Sequence, residues 1–148
     1  MSDCIFCKII AGEIPSAKVW ENEDFLAILD LCPNTKGMTL VMPKAHYDSY
    51  AFNMPDDVYK KFLLAGKEVA KLLDRKLKTI RTAMVMEGMG INHAHLKLYP
   101  LHGLEQEFKD MEIRKDIFFE KYPGYTTTKL GPQADPEELK KLAEQIKN

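Results

Sequence analysis

"INHAHLKLYP", residues 91–100, places His93, His95 and Lys97 at alternating positions. In an extended strand, residues two apart share a face. Ile91, His93, His95 and Lys97 then point one way, and Asn92, Ala94, Leu96 and Leu98 point the other. Ala-x-Leu-x-Leu is a core face, so the imidazole face looks into a cleft or onto a metal. Two histidines and a lysine repel one another if all are charged. At least one imidazole is therefore expected neutral, suited to act as a ligand or nucleophile. The lysine adds a positive charge suited to a phosphate. A polar strand edge facing solvent would show the same alternation, and spacing alone does not choose between the two.

Upstream, "TIRTAMVME" reads as the partner strand of a hairpin turning at Gly88–Gly90. Before it, "PDDVYKKFLLAGKEVAKLLDRKL" is a long amphipathic helix: Val58, Phe62, Ala65, Val69, Leu72 and Leu73 recur at helical spacing. Pro55 and two aspartates suit its first turn. "MTLVMP" is a short buried strand stopped by Pro43, and "CPNTKG" before it is a loop. "KVWENEDFLAILDL" reads as two strands about a turn at Asn22–Asp24, the second being apolar from Phe25 to Leu29 and followed by Asp30. Downstream of Gly103 the pattern is mixed, with an aromatic loop at Tyr122–Tyr125. A final short helix has Asp135 as cap, Pro136 at its first position and an apolar stripe of Leu139, Leu142, Ala143 and Ile146. The expected architecture is α+β: an antiparallel meander sheet with one long helix and a C-terminal helical extension. Residues 1–103 form the domain, and residues 104–148 form an extension packed on it.

The 148 residues suffice for one domain with a core. Hydrophobic content of 45% and charged content of 29% are those of an ordinary globular protein. A net charge of −1 gives no electrostatic case for a nucleic acid polymer or a membrane surface. No apolar run spans a bilayer, and the first residues, MSDCIFCKII, have no secretion pattern. Three cysteines in such a chain suggest a reducing, cytoplasmic setting.

Cys4 and Cys7 form C-x-x-C, which needs two further ligands to make a tetrahedral zinc site. The chain has four histidines: His46, His93, His95 and His102. A Cys2His2 site is possible, though not at zinc-finger spacing. Two buried cysteines or a redox pair remain open, although the strand-then-helix context of a redox motif is missing.

Together these residues resemble the histidine triad (HIT) family of nucleotide hydrolases and transferases. The resemblance runs from Cys4 to Tyr99. Its specific part is "CIFCKIIAGEIPSAKVWENEDFLAILDLCPNTKGMTLVMPKAH", which is similar to the family's zinc-carrying branch. The family signature His-φ-His-φ-His-φ-φ, with φ apolar, reads here His93-Ala94-His95-Leu96-Lys97-Leu98-Tyr99, with lysine in the third histidine's place. The resemblance implies that His95 is the nucleophile, attacking the α-phosphorus of a nucleotide to form a covalent nucleotidyl-imidazole that water hydrolyses. It implies a structural zinc held by Cys4, Cys7, His46 and His93. Asp30 would hold the ribose hydroxyls, and Phe6, Ile9, Ile28 and Leu31 would seat the base or simply be core. Homodimers joined through the long helix and the adjacent sheet edge are usual in the family.

Two features depart from the pattern. The family's glycine-rich loop, which ends in Gly-Gln-Ser/Thr, is here the short "EGMGIN", with Met89, no glutamine, and Gly90 as the nucleotide-binding position. Lys97 would support the phosphate as a point charge instead of a ring donor. The substrates implied are dinucleoside polyphosphates or nucleotide phosphoramidates, with a nucleoside monophosphate released. The alternative is a nucleotide-binding or regulatory protein with a degenerate site. His102 reads as a solvated loop residue or a leaving-group contact, and Cys32 as a small buried side chain.

Overall fold

The structure, a computed structural model, describes residues 3–104 and, beyond them, Phe118, Glu120, Lys121, Thr127 and Asp135. The chain divides into two compact units, Met1–Glu107 and Phe108–Asn148. The expected aromatic loop and all of the final helix but Asp135 lie outside the described residues, as does the docking of the extension.

The first unit is α+β, as its patterning predicts. Its elements are α1 (Ile5–Ile10), β1 (Lys18–Glu21), β2 (Phe25–Leu29), β3 (Thr39–Pro43), α2 (Asp56–Leu77), β4 (Thr82–Val85) and β5 (Leu96–Pro100). The antiparallel sheet has the order β1-β2-β3-β5-β4. The first three strands meander; α2 then crosses over, and β5 pairs back onto β3 with β4 at the edge. No helix among the described residues is long and apolar enough to cross a membrane.

Local chemistry explains the joints. Asn22 closes the β1–β2 turn by accepting the backbone N–H groups of Asp24 and Phe25 on its Oδ1, at 3.0 and 2.7 Å. Pro55 caps α2, with Asp56 and Asp57 in its first turn. Lys78 ends it in the left-handed conformation, φ 57°. Asp74 then accepts the hydroxyls of Thr79 and Thr82, which ties the helix end to the start of β4.

The sheet has two unlike faces. On one, Phe25, Ala27, Val41, Leu96 and Leu98 pack against Phe62, Ala65, Val69 and Leu73 of α2. On the other, Leu26, Ile28, Leu40 and Met42 pack against Phe6 of α1. The helix α1 is an addition to the sequence reading. Its signal was the spacing of Phe6, Ile9 and Ile10, all of which reach this second cluster.

The expected tight hairpin at Gly88–Gly90 is corrected. The last rung between β4 and β5 joins Val85 to Lys97, so residues 86–95 form a loop and neither His93 nor His95 lies in a strand. The backbone there is bonded elsewhere: His93 N–H to Ile91 O, Ala94 N–H to Tyr47 O, and the His93 carbonyl to the His95 ring. Groups so used cannot join the β4 ladder. The alternation of faces nevertheless persists through the loop. Ala94 joins the α2-side core, whereas Ile91 packs in the α1-side cluster.

Candidate functional site

Cys4 precedes α1 and Cys7 lies three residues on, so one helical turn presents both thiols to the same side. Opposite them stand His46, from the segment after β3, and His93. Cys7 Sγ is 3.3 Å from His46 Nδ1 and 3.6 Å from His93 Nδ1, and Cys4 Sγ is 3.5 Å from His93 Nδ1. One ligand atom from each of the four residues lies within 4.8 Å of every other. A tetrahedral site with Zn–S near 2.3 Å and Zn–N near 2.0 Å separates its ligands by about 3.3–3.8 Å. His93 donates Nε2–H to Pro43 O at 2.8 Å, which leaves Nδ1 with its lone pair toward the thiols. This cluster could hold a metal ion, and its donor set fits one that takes sulfur and nitrogen.

His95 is buried, 4% exposed. Its Nδ1 donates to His93 O at 2.7 Å, the backbone acceptor its tautomer requires, and Nε2 keeps the lone pair. Phe6 stands edge-on to both rings, 5.8 Å from His93 and 5.3 Å from His95. Burial holds the His95 imidazole below its usual range. The His93 carbonyl, Glu87 and Asp30 oppose that shift, and Lys97 adds to it. Burial likewise lowers His93. His95 is thus a neutral imidazole at neutral pH.

Sheet register brings other expected residues to the same face. Ile28, Leu40 and Lys97 form one row across β2, β3 and β5. Asp30, just past β2, donates its backbone N–H to Met38 O, and its Oδ1 accepts the N–H of Cys32 at 2.7 Å. That turn fixes the Asp30 carboxylate, whose charge acts on the His95 ring. Tyr99, two residues along β5 from Lys97, has a phenol raised above its usual range by burial.

Not every expected residue converges. Phe6 and Ile28 are buried in the α1-side cluster, and Ile9 packs against it. Leu31 stands out in solvent at 95% exposure. Gly90 is exposed at φ 89°, with open space around it. Cys32, expected to be buried, is exposed, because the Asx turn at Asp30 carries it outward. His102 is a surface residue that donates Nε2–H to Lys36 O at 2.8 Å.

The sequence reading missed Glu87. Its Oε2 is 2.9 Å from Lys97 Nζ, and the pair is largely shielded, with the two side chains 11% and 22% exposed. The rung Val85–Lys97 puts position 87 beside the lysine, and that register was not legible from the two segments separately.

Comparison with known proteins identifies the family. Residues 11–103 match the HIT domain family. The chain is 39% identical over 106 residues to Protein hit of Bacillus subtilis, which covers 68% of this chain and 72% of that one. It is 36% identical over 103 residues to adenosine 5'-monophosphoramidase HNT1 of Saccharomyces cerevisiae, covering 66% of this chain and 61% of the yeast protein. The solved structure of SMU.412c from Streptococcus mutans covers 99% of this chain and 85% of its own, with a TM-score of 0.72 at 34% identity.

Proposed function

The chain belongs to the HIT domain family, and from that premise we propose that it is a nucleotide hydrolase acting through a covalent nucleotidyl-histidine on His95. The observation that carries this is the His95 ring itself: buried, neutral, with Nδ1 committed to the His93 carbonyl and Nε2 free to attack. Nε2 bonds to the α-phosphorus as the bond to the leaving oxygen or nitrogen breaks. Water then cleaves the phosphorus–imidazole bond and releases a nucleoside monophosphate. Lys97 stabilises charge building on the phosphoryl oxygens. Asp30 accepts the ribose hydroxyls. Phe6, Ile9 and Ile28 form the wall against which the base lies, with Leu31 at its open edge and Gly90 offering its backbone to the phosphate. Dinucleoside polyphosphates and nucleotide phosphoramidates are the substrate classes, and the yeast relative's name supports the second.

The Cys4, Cys7, His46 and His93 cluster is proposed to hold a structural zinc, which would stabilise the site and take no part in the reaction. Its thiolates suit a reducing compartment, and we place the protein in the cytoplasm. A C2 homodimer is proposed through α2 and the β4 edge, supported by the exposed Leu64 and Met84 on those elements. Light scattering at micromolar concentration should give twice the chain mass; a monomer would count against the dimer.

The decisive test is to incubate the protein with adenosine phosphoramidate, quench in acid-free denaturant and look by mass spectrometry for AMP on His95. An adduct there, lost in His95→Ala, is the expected result. AMP binding without turnover on any phosphoramidate or dinucleoside polyphosphate would instead establish the degenerate-site reading, for which Lys97 and the short loop at Met89 speak.

A further inference from the structure

The third triad position is occupied by a salt-bridged pair, Lys97 with Glu87, in place of a single ring. The segment that carries Glu87 is held in place. Val85 pairs with Lys97 at the end of the β4–β5 ladder. Three residues beyond, Gly88 sits at φ 73°, where an added Cβ would lie 2.7 Å from Ser49 O. Ser49 N–H in turn donates to Asn92 Oδ1 at 3.0 Å, and Ala94 N–H donates to Tyr47 O at 2.9 Å. One end of the loop is thus hydrogen-bonded to residues 47–49 and the other passes close against Ser49, which limits how far the backbone carrying Glu87 can shift.

Glu87 has two consequences for its neighbour. A free lysine has four rotatable bonds and scatters its charge; one bonded at 2.9 Å in a shielded place has its ammonium in one position. The carboxylate also cancels that charge. Lys97 and Glu87 as a pair are neutral, so with Asp30 the formal charge on these three side chains is −1. A lone lysine with Asp30 would have summed to zero. The added negative charge opposes each further phosphate, so the site is poorly matched to a leaving group that carries more of them.

We propose that Glu87 is a positioning and specificity-determining residue: it fixes Lys97 at the phosphoryl oxygens and discriminates against polyphosphate leaving groups. The inference rests on the nucleotide-hydrolase reading and narrows its substrate class to derivatives with a single phosphate.

The test compares AMP with ADP, whose second phosphate occupies the leaving-group side, by calorimetry on the full chain at one ionic strength. Glu87→Gln should raise the preference for ADP over AMP by about tenfold. That is the scale a unit charge several Å away exerts at an effective dielectric of about 20, after salt screening. Glu87→Asp keeps the charge and shifts its place. It should leave the ADP/AMP ratio within about twofold of wild type while lowering kcat on adenosine phosphoramidate more than it raises KM. A merely structural ion pair would move neither the ratio nor that split. An unchanged ratio in Glu87→Gln, with AMP still bound, overturns this inference alone. A ratio shifted equally in Glu87→Asp also overturns it, since charge would not be the cause. Failure of the wild type to bind AMP removes the hydrolase reading and this inference with it.

Discussion

The two faces of the sheet are held by different means. One is covered by the 22 residues of α2, whose Phe62 and Val69 are fully buried against Val41, Leu96 and Leu98. Among the described residues, the other packs against the six residues of α1. Closely packed apolar area stabilises the first face. A six-residue helix is too short to stand by itself, and the second face depends on Phe6 and on whatever draws Cys4 and Cys7 to His46 and His93. The same side of the sheet carries His95 and Lys97, with Asp30 near enough for its charge to act on the His95 ring. The larger apolar cluster lies on one side of the sheet, and the candidate site residues lie on the other.

The contrast can be broken first at the nucleophile. His95→Ala should reduce turnover of adenosine phosphoramidate by about 10⁴-fold or more while AMP binding persists, since the proposed ribose and base contacts lie elsewhere. Steady-state kinetics with calorimetry checks both halves. Retained hydrolysis would mean that the covalent route is wrong.

Stability should separate the faces next. Leu96→Ala, on the α2 face, should cost about 2–5 kcal/mol whether or not a chelator is present. Cys7→Ser should also lower Tm, but it should abolish the further drop that a strong chelator causes in the wild type. Metal analysis of the purified protein should find about one zinc per chain. A wild-type Tm indifferent to chelator, together with no zinc, would return the cysteines to plain packing.

A smaller effect is expected at Gly88→Ala. The left-handed backbone costs a Cβ about 1–2 kcal/mol, before the clash with Ser49 O is relieved. Because that relief must move Glu87, kcat should fall more than urea unfolding alone would suggest.

The smallest belongs to neither face. Glu21 accepts from Lys18 and Lys44, and those bonds lower its pKa from 4.5 to about 2. A carboxyl depressed in the folded state contributes stability above its unfolded pKa and loses it as pH falls toward the folded value. The contribution should therefore be complete above about pH 4.5 and gone near pH 2. Glu21→Gln should flatten the acid limb of the stability profile slightly between those limits, and leave stability at neutral pH within the small range of exposed pairs.

Much of this was legible in the residues themselves. The apolar run Phe25–Leu29, the strand stopped at Pro43 and the helical spacing of Val58, Phe62, Ala65 and Val69 specified their elements, because strand and helix periodicities are local properties. The two-faced reading also held from Ala94 to Leu98, whose apolar side chains Ala94, Leu96 and Leu98 are buried, whereas Asn92, read onto the same face, is exposed. Local pattern could not say that the ladder ends at Lys97. That was decided by Tyr47, Ile91 and the His95 ring, which take the backbone groups a longer strand would have used. Nor could it place Leu31 and Cys32 in solvent, which follows from the turn that Asp30 makes with the Cys32 N–H. The convergence of Cys4, Cys7, His46 and His93, and the meeting of Glu87 with Lys97, join residues that sequence spacing leaves apart. By itself the sequence determined most of the strands, the long helix and which faces of them are buried. Only the tertiary structure decided which of them meet, because register and loop path are set by hydrogen bonds between distant segments.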